Sequence, residues 1–259
     1  MNEYAKAIIK HAPFEESFLA QQILLRLLTQ SGQLDECLAK GINLLRRLGI
    51  DIAEDPTGEV IMNSVVSANI MASQFTVEQI LQLCATSLDE SSIFISLIYD
   101  GIHGAMMANS SPFLPLITAE IVKYSLQYGI SEVSTIAFET FASMKVTLEW
   151  DYLAGQYWSC IVKEIIKKHD AINTQYRKKS FTHFSARLSC LWSIDIWFHC
   201  PIEISYQLMK IHQEAMKAGE VDVALFAYDF AGRYKVMGGE NLHVLLKTVG
   251  DRIQLIVSP

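Results

Sequence analysis

Three groupings of side chains along the chain have the types and spacing to do chemistry. His169-Asp170 sets an imidazole beside a carboxylate, a pair able to chelate a divalent ion. Such a site needs more ligands, and although His103, Asp195, Asp222 and Asp229 exist, nothing in their spacing selects them. An imidazole closing a helix C-terminus is the plainer account of His169. His183 and Cys190 lie seven residues apart on one helix face, and His199-Cys200 follow, giving ligand types that suit zinc. Adjacent residues on a helix do not readily point at one ion, so buried, inert thiols are the plainer expectation there.

The third grouping is electrostatic. Lys163, Lys167, Lys168, Arg177, Lys178, Lys179 and Arg187 are seven of 21 basic residues, with only Glu164 and Asp170 opposing them nearby. If two helices meet antiparallel here, Lys167 and Lys168 gather with Arg177, Lys178 and Lys179 at the turn. That patch suits an acidic or phosphorylated protein segment, or a neighbouring domain. A solvated helix end is the competing reading. Aromatics crowd the same stretch: Trp150, Tyr152, Tyr157, Trp158, Trp192, Trp197 and Phe198. Most are expected in the core, with one or two, Trp158 among them, anchoring a partner.

Nucleotide chemistry finds no support in the sequence. No G-x-x-x-x-G-K-[ST] loop occurs, and Gly238-Gly239 lacks the Lys and Ser/Thr that would make it a phosphate cradle. The Gly-rich loop and paired Asp residues of a kinase are equally missing. The expectation is therefore no catalytic residue, no cofactor and no bound metal.

The elements that must position these side chains follow from composition. The chain has 259 residues, 51% hydrophobic and 19% charged, with a net charge of -7, so it can bury a large core and is not disordered. The acidic balance removes the electrostatic attraction behind most non-specific nucleic-acid binding. Five dispersed cysteines, an odd number, read as reduced thiols of a cytoplasmic protein. Met1 to Pro13 carries charge where a secretory signal needs an apolar stretch. Val60 to Val77 and Gly101 to Ala119 lack charge, yet each holds too many Asn, Ser, Gln, Thr, His or Pro residues to be read as a membrane span.

Apolar residues recur at helical spacing over Phe14 to Gln30 and Gln33 to Leu48, with the Ser31-Gly32 break turning one back on the other. Cys37 and Gly41 are small residues on the second stripe. Gly49 is placed to cap that helix in a left-handed conformation, and Gly129 and Gly219 end "SLQYGIS" and "EAMKAGEVD" in the same way. Their separations of 80 and 90 residues halve to a unit of about 40 to 45, the size of a two-helix repeat. Thr76 with Gln79 predicts a capping box opening a short helix. Further helices are expected over Ser92 to Met107, Leu114 to Tyr128, Ser131 to Leu148, Tyr152 to His169, Ile172 to Asp195, Ile202 to Ala218, Val221 to Val236 and Glu240 to Ile256. No stretch alternates with a period of two between turns, so no sheet is expected. The reading is one all-α domain over 1–259, an αα-solenoid. Its apolar C-terminal helix would favour self-association through an exposed end.

"GQLDECLAKGINLLRRLGIDIAEDPT", "SLQYGIS", "WDYLAGQYWSCIVKEI" and "FHCPIEISYQLMKIHQEAMKAGEVDVALFAY" resemble the tetratricopeptide-like α-helical region of multidomain signalling ATPases. In those proteins an AAA/STAND-type ATPase, often preceded by a kinase-like domain, is followed by this region and then by GAF and histidine-kinase modules. The resemblance covers nearly the whole chain and implies a non-catalytic helical-repeat scaffold or regulatory segment in signal transduction, as a fragment or a stand-alone relative. It carries over no catalytic residue. A second reading rests on His169-Asp170, which is similar to the metal-binding pair of HD-type metal-dependent phosphohydrolases.

Overall fold

A computed structural model of the protein describes residues 2–84, 90–109, 111–131, 134–172, 181–241 and 243. Among them the regular structure is entirely helical, as the absence of period-two alternation predicts. The helices are α1 (Asn2–His11), α2 (Phe18–Gln30), α3 (Leu34–Arg47), α4 (Gly58–Ala72), α5 (Val77–Leu83) and α6 (Glu90–Ala108). They continue with α7 (Phe113–Tyr128), α8 (Thr135–Thr147), α9 (Tyr152–Ile172), α10 (Phe181–Ser189), α11 (Pro201–Ala218) and α12 (Val221–Met237). The expected C-terminal helix from Glu240 lies almost wholly outside the described residues.

Two of the three glycine endings share one hydrogen-bond pattern. At Gly49, with φ of 86°, the Ile50 and Gly49 amides donate to the Leu45 and Arg46 carbonyls, each at 3.0 Å. At Gly219 the Glu220 and Gly219 amides do the same to Ala215 and Met216. This is the left-handed cap that satisfies the last carbonyls of a helix. Gly129 is different: its φ of 123° and ψ of 155° send the chain across, so that the Ile130 amide donates to Leu83 at the end of α5. The three glycines therefore end their helices in two different ways.

The capping box at α5 forms as expected, with the Thr76 hydroxyl accepting from the Gln79 amide and the Gln79 side chain accepting from the Thr76 amide. Helix α4 has a weaker sequence signature because its polarity is inverted. Small side chains, Ser64, Ala68 and Ala72, face inward, while Met62, Val66 and Ile70 lie exposed. Close approach of α7 compensates, since Ser64 donates to Glu120 at 2.6 Å.

The stacking is not a simple succession of neighbours. Helices α2 and α3 both pack on α6, whereas α4 packs on α7, and α8 sits between α7 and α9. Cys37 and Gly41 serve this arrangement. A Cβ on Gly41 would fall 2.2 Å from Ile102 Cγ2, so α6 and α3 can touch only because the position is bare. One buried cluster runs from Leu24 to Ile194; a second joins α10, α11 and α12 through Phe184, Leu188, Leu208, Val223 and Ala231. Helix α10 and the turns after it contribute to both.

No single helix among the described residues is long and apolar enough to cross a membrane; α4 and α5 pass together by length and composition but meet at 101°.

Candidate functional site

Where the two apolar clusters meet, the helices leave open space. A cavity of about 700 Å³ is walled by α6, α8, the turns after α10 and the end of α12. A second, of about 670 Å³, adjoins it and shares His103, Met107, Ser189 and Trp192 as lining. Both lie within the size range of small-molecule sites.

The wall after α10 is not α-helical. Cys190–Ile194 is a π-helical turn followed by a 3-10 turn at Asp195–Trp197. Such wide turns often occur at functional sites, because they displace side chains from the regular helical register. Here they direct Trp192, Ser193 and Trp197 to the cavity. Asp195 anchors the segment from outside, accepting from Ser159 at 3.1 Å and pairing with Lys163 at 2.6 Å. The Tyr234 hydroxyl latches α12 to the Trp192 carbonyl at 2.8 Å.

At the floor is Glu139, 2% exposed, in the middle of α8. Its neighbours are hydroxyls. Ser143 lies 2.7 Å from Glu139 Oε1, Ser193 lies 2.7 Å from Ser143, and Ser193 is 2.6 Å from the Ser189 carbonyl. Burial drives the Glu139 carboxyl up to about 7, against the opposing pull of hydrogen bonds from Ser143, Ser189, Ser193 and Thr140. The chain's proton count agrees with this. Three contacts along it share two serine protons while Glu139 is ionised; once Glu139 is protonated it donates to Ser143, Ser143 to Ser193, and Ser193 to the carbonyl, and every contact is served.

His103 borders both cavities and contacts Thr140 at 3.0 Å. The Thr140 hydroxyl also lies 2.9 Å from the Ile136 carbonyl. Burial holds this imidazole down to about 4, so it is neutral at physiological pH.

Aromatics frame the mouth. Trp150 is 74% exposed and adopts φ of 56°, the one positive value on a non-glycine residue among those described. Trp197 is 59% exposed and meets Tyr152 edge-to-face at 5.2 Å. A left-handed tryptophan is costly, and such strain clusters at functional positions.

The residues singled out in the sequence fall elsewhere. Trp158 is 7% exposed and packs edge-to-face on Phe141 at 5.4 Å, so it belongs to the interior and offers no surface anchor. Lys167 pairs with Glu164, Lys163 with Asp195, and Arg187 with Glu214 at 2.8 Å. The last two partners come from distant segments and absorb charge that the sequence leaves unopposed. Arg177, Lys178 and Lys179 lie outside the described residues, and with them the turn where Lys167 and Lys168 were expected to meet them.

His169 lies in the last turn of α9, as expected, but is uncharged. Helix α9 runs on to Ile172, and burial, then the nearby His183, holds His169 down to about 4. His183 Nδ1 lies 3.2 Å from Asp170. Cys190 is buried while His199 and Cys200 are exposed, and no three His, Cys, Asp or Glu side chains among the described residues converge as a metal site. Asp195 is committed to Lys163 and Ser159, and Asp229 to Arg233 at 2.7 Å.

The cavity residues Glu139, His103, Ser143 and Ser193 carried no motif. One signal was available: Glu139 is the lone acid in "TIAFETFASM", a stretch otherwise fit for a buried helix. An acid there is either paired or functional. Comparison with known proteins returns no family model, no curated protein and no solved structure that matches the chain.

Proposed function

We propose that this chain is a non-catalytic helical-repeat module of signal transduction, of the αα-solenoid type, and that it regulates by binding a small apolar molecule in the cavity beneath Trp150 and Trp197. The observation that supports the reading is the cavity itself: a roomy apolar chamber with few, convergent polar groups. Strain at Trp150 and the π-turn at Cys190–Ile194 fall on the same walls. A bound ligand would tie α6 and α8 to α10 and α12, and contacts to a neighbouring domain or protein would read out the change. Mass action sets the gain: about 2.7 kcal/mol of stability at a hundredfold excess over Kd.

The neutral fluorophore N-phenylnaphthylamine tests the site. Saturable fluorescence enhancement is expected with the wild-type protein and with Ser73→Phe, a bulky change on an exposed helix end. Ser143→Phe fills the chamber and should abolish it while keeping the helical circular-dichroism signal. Equal enhancement in Ser143→Phe, or none in the wild type, contradicts the reading.

A further inference from the structure

Glu139 is a buried carboxyl with no cationic partner among the described residues, and it opens onto the cavity floor. Each group within hydrogen-bonding reach is a hydroxyl. The titratable groups nearest it on α6 and the π-turn are uncharged at neutral pH. Tyr99 and His103 approach from α6, where burial raises the phenol and lowers the imidazole. Cys190 approaches from the π-turn, and its thiol is also raised by burial. Asp195 stands farther along the same segment and is neutralised by Lys163. On α8 itself, Lys145 is committed to Glu149 and Asn69. A carboxylate in an apolar surround is unfavourable unless a counter-charge arrives. None of the described residues supplies one, which leaves the occupant of the cavity as its source.

The walls match a cation equally well. Trp192, Trp197 and Tyr152 line the same space, and aromatic rings attract cations, most strongly where water is excluded. The remaining lining is predominantly apolar, which suits a hydrocarbon or aromatic body rather than a hydrated inorganic ion.

We propose that the cavity takes an organic ammonium with an apolar body, its nitrogen seated against Glu139 and its carbon frame among Trp192, Trp197 and Tyr152. This rests on the reading of the chain as a small-molecule-binding module and names the class of molecule. Binding is linked to a proton. In the empty protein near neutral pH, Glu139 is substantially protonated and completes the serine chain; the incoming ammonium selects the carboxylate, and the proton leaves to solvent. No covalent bond is made or broken.

Calorimetric titration with phenethylamine, phenethyl alcohol and hydrocinnamate, compounds of similar shape bearing a cation, a neutral donor and an anion, tests the assignment. Phenethylamine is expected to bind at least tenfold more tightly than the alcohol at pH 8, and hydrocinnamate more weakly than either. Amine affinity should fall as pH drops below about 7, approaching tenfold per unit, because an alkylammonium stays charged throughout that range. At pH 6 to 7 the binding enthalpy should vary with the ionisation enthalpy of the buffer, reporting the released proton. Glu139→Gln should erase the preference for amine over alcohol and leave alcohol binding intact. Should that variant fail to fold, the pH profile and buffer dependence of the wild type decide alone. Equal affinities for amine and alcohol, or a flat pH profile, overturn the ammonium assignment and leave the cavity reading standing. Failure of all three compounds and of N-phenylnaphthylamine overturns both.

Discussion

Replacing Glu139 by Gln removes one titration from the folded state, and the size of the effect follows from the structure. The Glu139 carboxyl sits at about 7 in the folded protein against a usual 4.5. Over that interval the native state holds a proton that the unfolded chain has released. A group raised in this way makes the protein less stable as pH rises, from 4.5 until about 7, and then contributes no further change. The interval is about 2.5 pH units, and at roughly 1.4 kcal/mol per unit the loss is about 3 kcal/mol. His103 and His169, both held down to about 4, act in the opposite sense, adding stability as pH rises from 4 to 6.5. Their contribution masks Glu139 in the wild-type curve but cancels in the difference between wild type and variant. Urea unfolding of both proteins from pH 4.5 to 8.5 gives that difference. The wild type is expected to lose about 3 kcal/mol relative to Glu139→Gln between pH 4.5 and 7.5, with no change above. A difference constant within about 0.5 kcal/mol would refute the claim that Glu139 is a desolvated carboxyl.

Gly41→Ala should overpack the α3–α6 contact, because its Cβ would fall 2.2 Å from Ile102 Cγ2; a loss of about 1–3 kcal/mol is expected, and an unchanged Tm would show that the helices part freely. Trp150→Gly should be more stable than Trp150→Ala by about 1 kcal/mol, since only the glycine is at ease at φ of 56°; equal stabilities in urea would mean that the turn relaxes once the indole is gone. Lys167→Glu with Lys168→Glu should cost less than about 1 kcal/mol and leave N-phenylnaphthylamine binding unchanged. Weakened binding would connect the basic face of α9 to the cavity.

Helix ends were the most legible feature. Glycines past an apolar stripe mark caps with few alternatives, and Gly49 and Gly219 adopt them. Gly129 carries the same local sequence signal, but a tertiary hydrogen bond to Leu83 decides its conformation. Helix α4 was illegible as an amphipathic element because its inward face holds, beside Val65, only the small Ser64, Ala68 and Ala72. The aromatic concentration from Trp150 to Phe198 did not tell interior residues from exposed ones. Trp158 is interior, while Trp150, Trp192 and Trp197, the last two carried by a π-turn and the 3-10 turn after it that no periodicity announces, frame the cavity. The site itself is assembled from α6, α8, α10 and α12, so its members lie up to 134 residues apart, from His103 to Met237, and no local motif could report them.

Diffraction from crystals soaked with para-bromophenethylamine tests the central claim most directly, because bromine reports its own position. Anomalous density is expected among Trp192, Trp197 and Tyr152, with the amine nitrogen within hydrogen-bonding distance of a Glu139 carboxylate oxygen. Bromine found only on the outer surface, or within the cavity but with the nitrogen turned away from Glu139, would contradict it.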